Sequence, residues 1–162
     1  MTELTETVKS GSHEPRFIAD AHLGRLARYL RLCGFDTLFA DSLSDRDIKE
    51  VSLKEQRIIL SRDKELLSNS KNTDVCRILS DRPVDQLSEV IDKYCLRKFF
   101  KPFSRCIECN GSIEPVSGDE ISDHLLPRTR EFYSQFRRCR SCGKIYWEGS
   151  HYEKMKKFVD SL

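Results

Sequence analysis

The sequence has no long apolar run. None of its apolar stretches approaches the ~20 residues that a membrane-spanning helix needs. The N-terminal segment MTELTETVKSGSHEP also lacks the apolar core of a signal peptide. Apolar residues make up 38% and charged residues 33% of the chain, which is typical of a globular protein with a charged surface. We therefore expect a cytoplasmic protein without membrane association. Residues 1–15 are expected to form a disordered arm.

The net charge, at +2, is too small to identify a nucleic-acid-binding protein by itself. The charge is unevenly distributed: residues 1–96 include 15 basic and 17 acidic residues, whereas residues 97–162 include 13 basic and 9 acidic residues. A basic surface attracts phosphate chains. Lysine and arginine that serve only solubility would give the same distribution, so this observation leaves both interpretations open.

Short apolar segments alternate with segments of helical periodicity up to about residue 97. The predicted strands are 16–20, 36–41, 57–61 and 75–80. This alternation predicts an α/β fold with a mainly parallel sheet, whose strands are joined by right-handed crossovers. Beyond residue 97 the pattern changes to paired cysteines separated by Gly, Pro and Ser. We predict an α/β domain over 16–97 and a second domain over 98–162 that ends in a helix.

The chain has seven cysteines, and without a secretory signal they are not expected to form a disulfide framework. Cys106 with Cys109, and Cys139 with Cys142, form two C-x-x-C pairs, the ligand set of a closed tetrahedral zinc site. Four thiolates leave no position for water, so we assign this zinc to stability. Residues 110–138 between the pairs exceed the ~15–20 residues of a compact ribbon and must form an excursion. The remaining cysteines are predicted to be small core residues: Cys33, Cys76 and Cys95.

An aspartate ends or closely follows each of the four predicted strands. The carboxyl ends of parallel strands share one edge of a sheet, where ligands bind. Crowded carboxylates stay ionised together only when a cation compensates, and Mg²⁺ or Mn²⁺ suits such oxygen ligands. Aspartate is also a favoured helix N-cap, and Ser44 with Asp47 forms an S-x-x-D capping pattern. Taken together, the aspartates at this edge favour a metal site. They are Asp20, Asp41, Asp45, Asp47, Asp63 and Asp81.

Several segments together resemble one family. They are RFIADAHLGRLARYLRLCGFDT (16–37), DRDIKE (45–50), IILSRDKEL (58–66) and the C-x-x-C-x-x-I-Y-W-x-G-S-H pattern (139–151). Over nearly all of residues 16–155 the chain resembles the Mut-seven C-terminal RNase domain family. One departure is His22, at a position where an apolar residue is expected.

The resemblance implies a PIN-like, mainly parallel sheet flanked by helices, with a C-terminal zinc ribbon. It also implies cleavage of RNA phosphodiester bonds that depends on Mg²⁺ or Mn²⁺. Asp20, Asp47 and Asp63 match the family's acidic positions, which are expected to hold the metal, and Asp41 is a further catalytic candidate.

Four side chains are candidates for binding RNA. Arg25 and Arg28 could hold a phosphate or simply form a solvated helix face, which is the interpretation that we prefer for Arg31. Trp147 could stack on a base or pack within the protein, and His151 could face RNA or solvent.

Two other functions compete with ribonuclease activity. In a non-catalytic RNA-binding or adaptor module, the aspartates would act mainly as helix caps and the basic C-terminal part would bind RNA. A phosphoryl-accepting fold ranks lowest. A haloacid-type phosphatase needs a D-x-D pair where this chain has Asp20-Ala21-His22, and a receiver domain needs a fifth strand with a late lysine.

Overall fold

The computed structural model describes residues 13–68 and 73–162. Most of the predicted N-terminal arm, residues 1–12, lies outside this range. The chain divides into two compact units. Residues up to Leu30 together with Phe35–Phe100 form the first, and Arg31–Gly34 together with Lys101–Leu162 form the second. In the described part of the chain, no helix is long and apolar enough to cross a membrane.

The first unit contains a four-stranded sheet in which every pair of neighbours is parallel. Its strands are β1 (Arg16–Asp20), β2 (Thr37–Ala40), β3 (Arg57–Ser61) and β4 (Val75–Arg77). They lie in the order β2-β1-β3-β4. The predicted α/β fold with a mainly parallel sheet is confirmed.

Four helices belong to the segments that connect these strands or follow them. They are α1 (Gly24–Leu32), α2 (Asp45–Glu55), α3 (Lys64–Ser68) and α4 (Pro83–Lys93). Ser44 and Asp47 form a capping box at the start of α2, and Gln56 ends this helix in the left-handed conformation. Pro83 occupies the first turn of α4, where a missing N–H is tolerated.

Strand β4 is shorter than predicted, because the backbone after Ile78 finds another partner. The N–H groups of Leu79 and Ser80 donate to the Glu89 carboxylate at 2.9 and 2.8 Å. Burial raises the pKa of Glu89, but these hydrogen bonds together with Arg62 lower it overall. A side chain of α4 therefore replaces the strand ladder in this segment.

The sheet is buried on both faces. Phe17 and Ile18 are adjacent in β1, so their side chains point to opposite faces, and both are fully buried. Ile18 packs with Ile48 and Ile59 on one face. On the other, the ring of Phe17 meets those of Phe35 and Tyr94 edge to face, at centroid distances of 6.0 and 5.9 Å. Full burial stabilises each large apolar side chain by about 1.5–3 kcal/mol.

A buried arginine lies at the amino ends of the strands, whereas Asp20 lies at the carboxyl ends. Arg57 begins β3 and is only 4% exposed. Its guanidinium pairs with Asp36 Oδ1 and Glu55 Oε2, both at 2.7 Å, and donates to the carbonyl of Phe17 at 3.1 Å. Since the charge is paired and hydrogen-bonded, its burial is compensated.

The second unit contains a three-stranded antiparallel sheet and two helices. The strands are β5 (Ile113–Val116), β6 (Phe136–Cys139) and β7 (Ile145–Trp147), in that order across the sheet. Helix α5 (Pro127–Phe132) lies between β5 and β6 in the chain, and α6 (Ser150–Asp160) follows β7.

Two predicted environments were wrong. Arg31 is 5% exposed rather than solvated, because its Nη1 donates to the carbonyls of Ile107 and Glu108 at 3.1 and 2.8 Å. Cys95 is exposed rather than in the core. Helix α4 ends at Lys93, and Cys95 lies in the following turn with a left-handed φ of 51°.

We predict that Arg57→Ala lowers the free energy of unfolding by about 1.5–3 kcal/mol, because it removes the charge-assisted hydrogen bonds to Asp36 and Glu55, although Arg16 still contacts both. Urea denaturation measures this change. Arg82→Ala is the matched control, because Arg82 is 81% exposed and pairs with Asp85 across one helical turn. The control should change stability by less than about 0.5 kcal/mol. Equal effects of the two substitutions would contradict a stabilising role for Arg57.

Candidate functional site

The carboxyl ends of β1 and β3 lie side by side at the centre of the sheet. From β1 the chain passes to β2 on one side of β1, and it then crosses to β3 on the other side. This reversal makes the β1–β3 edge a topological switch point, where open α/β sheets bind their ligands. Asp20 ends β1, Ser61 ends β3, and Asp63 follows two residues later.

Asp20 is a buried carboxylate with two hydrogen-bond donors. It is 6% exposed. Its Oδ2 accepts a short hydrogen bond from the Ser61 hydroxyl, and its Oδ1 accepts from the backbone N–H of His22 at 3.0 Å. The second contact caps the short 3₁₀ turn over Ala21–Leu23. Asp20 is therefore held rigidly at the switch point, and the His22 side chain is exposed.

Ser61 connects Asp20 to the segment that carries Asp63. The Ser61 side chain is fully buried, and its Oγ accepts from the Asp63 N–H at 2.9 Å. Asp63 is exposed, and its Oδ1 accepts from the Glu65 N–H at 2.7 Å, as a cap of α3 does. The three residues form one hydrogen-bonded group at the end of the two central strands.

Sequence reasoning missed Ser61. The signal lies in the register, since Ala19 pairs with Leu60 and the next residues of the two strands are Asp20 and Ser61. In neighbouring parallel strands, residues at the same level point to the same side. The strand order was needed before this register could be used.

The other predicted acidic residues lie outside this group. Asp47 is exposed, and its Oδ2 accepts from the Ser44 hydroxyl at 2.6 Å and from the Ser44 N–H at 3.2 Å. The Ser44 hydroxyl and N–H lower the pKa of Asp47. Asp41 is exposed, and Asp81 pairs with Arg62. Among the residues that the structure describes, no three carboxylates or histidines come close enough together to form a metal cluster.

Helix α1 begins close to the switch point. Its first residue, Gly24, follows the turn that Asp20 caps, and a Cβ at Gly24 would lie 3.0 Å from the Phe39 ring. Glycine thus allows the helix to approach β2 closely. Arg25, in the first turn, and Arg28, one turn later, are both exposed.

The four paired cysteines come together in the second unit. Their sulfur atoms all lie within 4.8 Å of one another. The Sγ–Sγ distances are 3.7 Å between Cys106 and Cys142 and 3.4 Å between Cys109 and Cys139. Tetrahedral zinc with ~2.3 Å bonds separates its sulfur ligands by ~3.8 Å. The cluster therefore has the donor set and spacing to bind a metal such as zinc.

The surroundings of the cluster favour a thiolate at Cys106 and a protonated thiol at Cys109. Burial raises the pKa of Cys106, but the Tyr146 hydroxyl at 3.0 Å and backbone N–H groups lower it to about 7 overall. Burial, together with hydrogen bonding among the thiols, raises the pKa of Cys109 to about 12. A bound metal would displace the protons that these sulfur atoms share. The sequence did not suggest that Tyr146 contacts a cysteine.

A model of the Mut7-C RNAse domain matches residues 15–159, nearly the whole chain. The protein belongs to the Mut7-C RNase domain family. This confirms the resemblance seen in the sequence, and membership of a ribonuclease family indicates a nuclease or RNA-related function.

Partial matches to curated proteins add little to this assignment. The lipoma-preferred partner homolog of Gallus gallus is 29% identical over 79 residues, which cover 46% of this chain but only 13% of that protein. The lipoma-preferred partner of Homo sapiens is 28% identical over a stretch with the same coverage of both chains. No solved structure matches the chain significantly.

The two remaining predicted RNA-binding residues of this Mut7-C domain lie in its second unit. Trp147 ends β7 and is 40% exposed, so part of its indole ring reaches solvent. His151 is exposed in the first turn of α6. Both side chains are accessible to a ligand.

We predict that the purified protein carries about one zinc per chain. Cys106→Ser and Cys139→Ser should lose the metal and several kcal/mol of stability, on the order of the metal's contribution to folding. Elemental analysis and urea denaturation measure the two effects. Cys95→Ser is the matched control, because Cys95 is exposed and outside the cluster, and it should retain zinc. Freshly isolated protein without zinc would contradict the prediction.

Proposed function

We propose that this protein is a Mg²⁺- or Mn²⁺-dependent ribonuclease that cleaves RNA at the carboxyl ends of β1 and β3. The observation that carries the proposal is the hydrogen-bonded group of Asp20, Ser61 and Asp63, located at the switch point of a Mut7-C domain. Asp20 and Asp63 accept backbone N–H groups, as helix caps do, but their connection through a buried serine exceeds what capping requires.

The carboxylate oxygens of Asp20 and Asp63 are suitable ligands for a hard divalent cation. Mg²⁺ is commonly held by one or two carboxylates, with waters and substrate phosphate oxygens completing its shell. Asp20 and Asp63 are proposed as these carboxylates, so the site does not require three protein ligands in contact. Asp47 retains Oδ1 as a ligand atom while its Oδ2 caps α2, and Asp41 is a further proposed contributor.

The metal would supply Lewis acidity and an activated water for attack on the phosphodiester. The protein's own residues supply the geometry. Ser61 fixes the Asp20 carboxylate and the backbone of Asp63, so that the two acidic groups face the substrate in a set orientation. Arg25 and Arg28, exposed on α1, are proposed to hold backbone phosphates of the RNA.

The zinc ribbon has a different proposed role. Four thiolates close the coordination shell of a tetrahedral zinc, so the metal would stabilise the second unit without taking part in cleavage. Trp147 and His151 are exposed on this unit and are proposed to contact RNA.

The second candidate function is a non-catalytic RNA-binding or adaptor module. One observation favours it: Asp20, Asp47 and Asp63 all take part in capping contacts at the start of a helix or turn. In this case the carboxylates would serve local structure, and RNA would bind elsewhere on the protein. The two functions differ in whether the parent protein cleaves RNA at all and, if it does, whether cleavage depends on these carboxylates.

We predict that Asp20→Asn and Asp63→Asn abolish Mn²⁺-dependent cleavage of labelled single-stranded RNA while the fold is retained. Asparagine caps helices about as well as aspartate, but it lacks the charge needed to hold the metal. Asp47→Asn should also lose activity, and Asp41→Asn should lose less. Parallel reactions with EDTA establish the metal requirement, and zinc content verifies an intact ribbon.

Asp81→Asn is the matched control, because Asp81 is exposed near the same edge but pairs with Arg62. It should retain most of the activity. If Asp63→Asn cleaves RNA at the parent's rate over a range of Mn²⁺ concentrations, the proposed metal site is wrong.

We further predict that Ser61→Ala raises the Mn²⁺ concentration needed for half-maximal activity, because Asp20 loses one of the two donors that orient it. Stability should fall by about 1–3 kcal/mol, since the substitution removes a buried hydrogen-bond partner. Metal titrations of the cleavage rate measure the first effect. Ser52→Ala is the control, since Ser52 is equally buried but donates to the carbonyl of Arg57. If both variants lose stability and neither shifts the metal dependence, Ser61 has only a structural role.

A further inference from the structure

A groove on the second unit has aromatic and cationic walls. Trp147 contributes a ring that is 40% exposed. The groove's chemistry comes from four aromatic residues and two arginines: Phe103, Tyr146, Trp147, Tyr152, Arg105 and Arg137. Several stacking surfaces thus lie beside positive charge within one compact unit.

Phe103 adopts a backbone conformation that is unfavourable for its type. It has a φ of 62° in the turn Lys101–Ser104, which is closed by a hydrogen bond from Ser104 N–H to the Lys101 carbonyl at 3.3 Å. This third turn position, after Pro102, ordinarily favours glycine or asparagine. The Phe103 ring packs against Tyr152 with a centroid distance of 4.4 Å. Such strain is kept where surrounding structure or function requires the side chain.

The other walls are held in place by specific contacts. The Tyr146 hydroxyl contacts the Cys106 sulfur at 3.0 Å, which ties this ring to the cysteine cluster. A Cβ at Gly149 would lie 3.0 Å from Trp147 Nε1, so the glycine allows the indole to lie close against the chain. Groups held in this way lose little conformational freedom when a ligand binds.

We propose that this groove binds an unstacked base of single-stranded RNA, with Arg137 contacting an adjacent phosphate. Aromatic rings stack on any base, and a guanidinium suits a phosphate. The charge of the walls favours this anionic ligand, since Arg105 and Arg137 outnumber Glu148 among the lining residues. The inference rests on the proposed function, because it takes RNA as the substrate.

The test uses the full chain and its only tryptophan. Trp147 fluorescence is titrated with hexauridylate and hexaadenylate, without added Mg²⁺ or Mn²⁺ so that the RNA remains intact. We expect saturable quenching by both, because stacking tolerates any base. Tyr152→Leu should weaken binding about 5- to 150-fold, the range corresponding to loss of one stacking contact. Tyr152→Phe retains the ring and should bind as the parent does.

Two controls separate the groove from general effects. Phe132→Ala removes a 76% exposed ring of the same unit that does not line the groove, and it should leave affinity unchanged. Arg137→Glu changes an exposed residue of the groove, and Arg128→Glu makes the same charge change in α5. The first substitution should reduce the affinity for RNA, and the salt dependence of that affinity, more than the second does.

Absence of saturable quenching would overturn the proposal, as would equal affinities of the Arg137→Glu and Arg128→Glu proteins. The Asp20→Asn protein should still show quenching although it no longer cleaves RNA. If Asp20→Asn retains cleavage, the catalytic proposal fails while the groove is still judged by fluorescence. If quenching is absent from a parent protein that cleaves RNA, the groove proposal alone fails.

Discussion

Strand β1 is the element on which the rest of the first unit depends, because it pairs with β2 on one side and β3 on the other. Its residues Phe17 and Ile18 are fully buried on opposite faces, so one strand joins both halves of the core. Because β1 lies between β2 and β3, its carboxyl end is at the switch point. Its last residue, Asp20, is buried there. The pairing that stabilises the sheet therefore also positions the candidate catalytic carboxylate.

The two ends of the sheet manage buried charge differently. At the amino end, Arg57 is surrounded by Asp36 and Glu55, which neutralise its charge within the protein. At the carboxyl end, in the described part of the chain, Asp20 has the Ser61 hydroxyl and the His22 N–H as its donors. Neutral donors orient a carboxylate without cancelling its charge. This arrangement leaves the charge available to a cation, as the proposed metal site requires.

The second unit uses its cysteine cluster to organise more than the metal ligands. Arg31 binds the carbonyls of Ile107 and Glu108, which lie between Cys106 and Cys109 in the chain, so residues at the end of α1 support this loop. Tyr146 connects the cluster to the groove that carries Trp147 and Tyr152. A unit of this size buries little apolar surface, and a metal within it would fix loops that the core alone does not hold.

The sequence by itself determined the local elements and the family. Patterns along the chain predicted the bounds of β1 and β3 and the capping box of Ser44 and Asp47, because these features depend on nearby residues. The spacing of the two cysteine pairs likewise predicted that the four cysteines form one cluster. Only the tertiary structure decided which strands are neighbours, and thereby that the Ser61 hydroxyl contacts the Asp20 carboxylate. It also decided that Arg31 is buried and Cys95 exposed. These outcomes depend on contacts between residues distant in sequence or on where a helix ends, and local periodicity contains no information about such contacts.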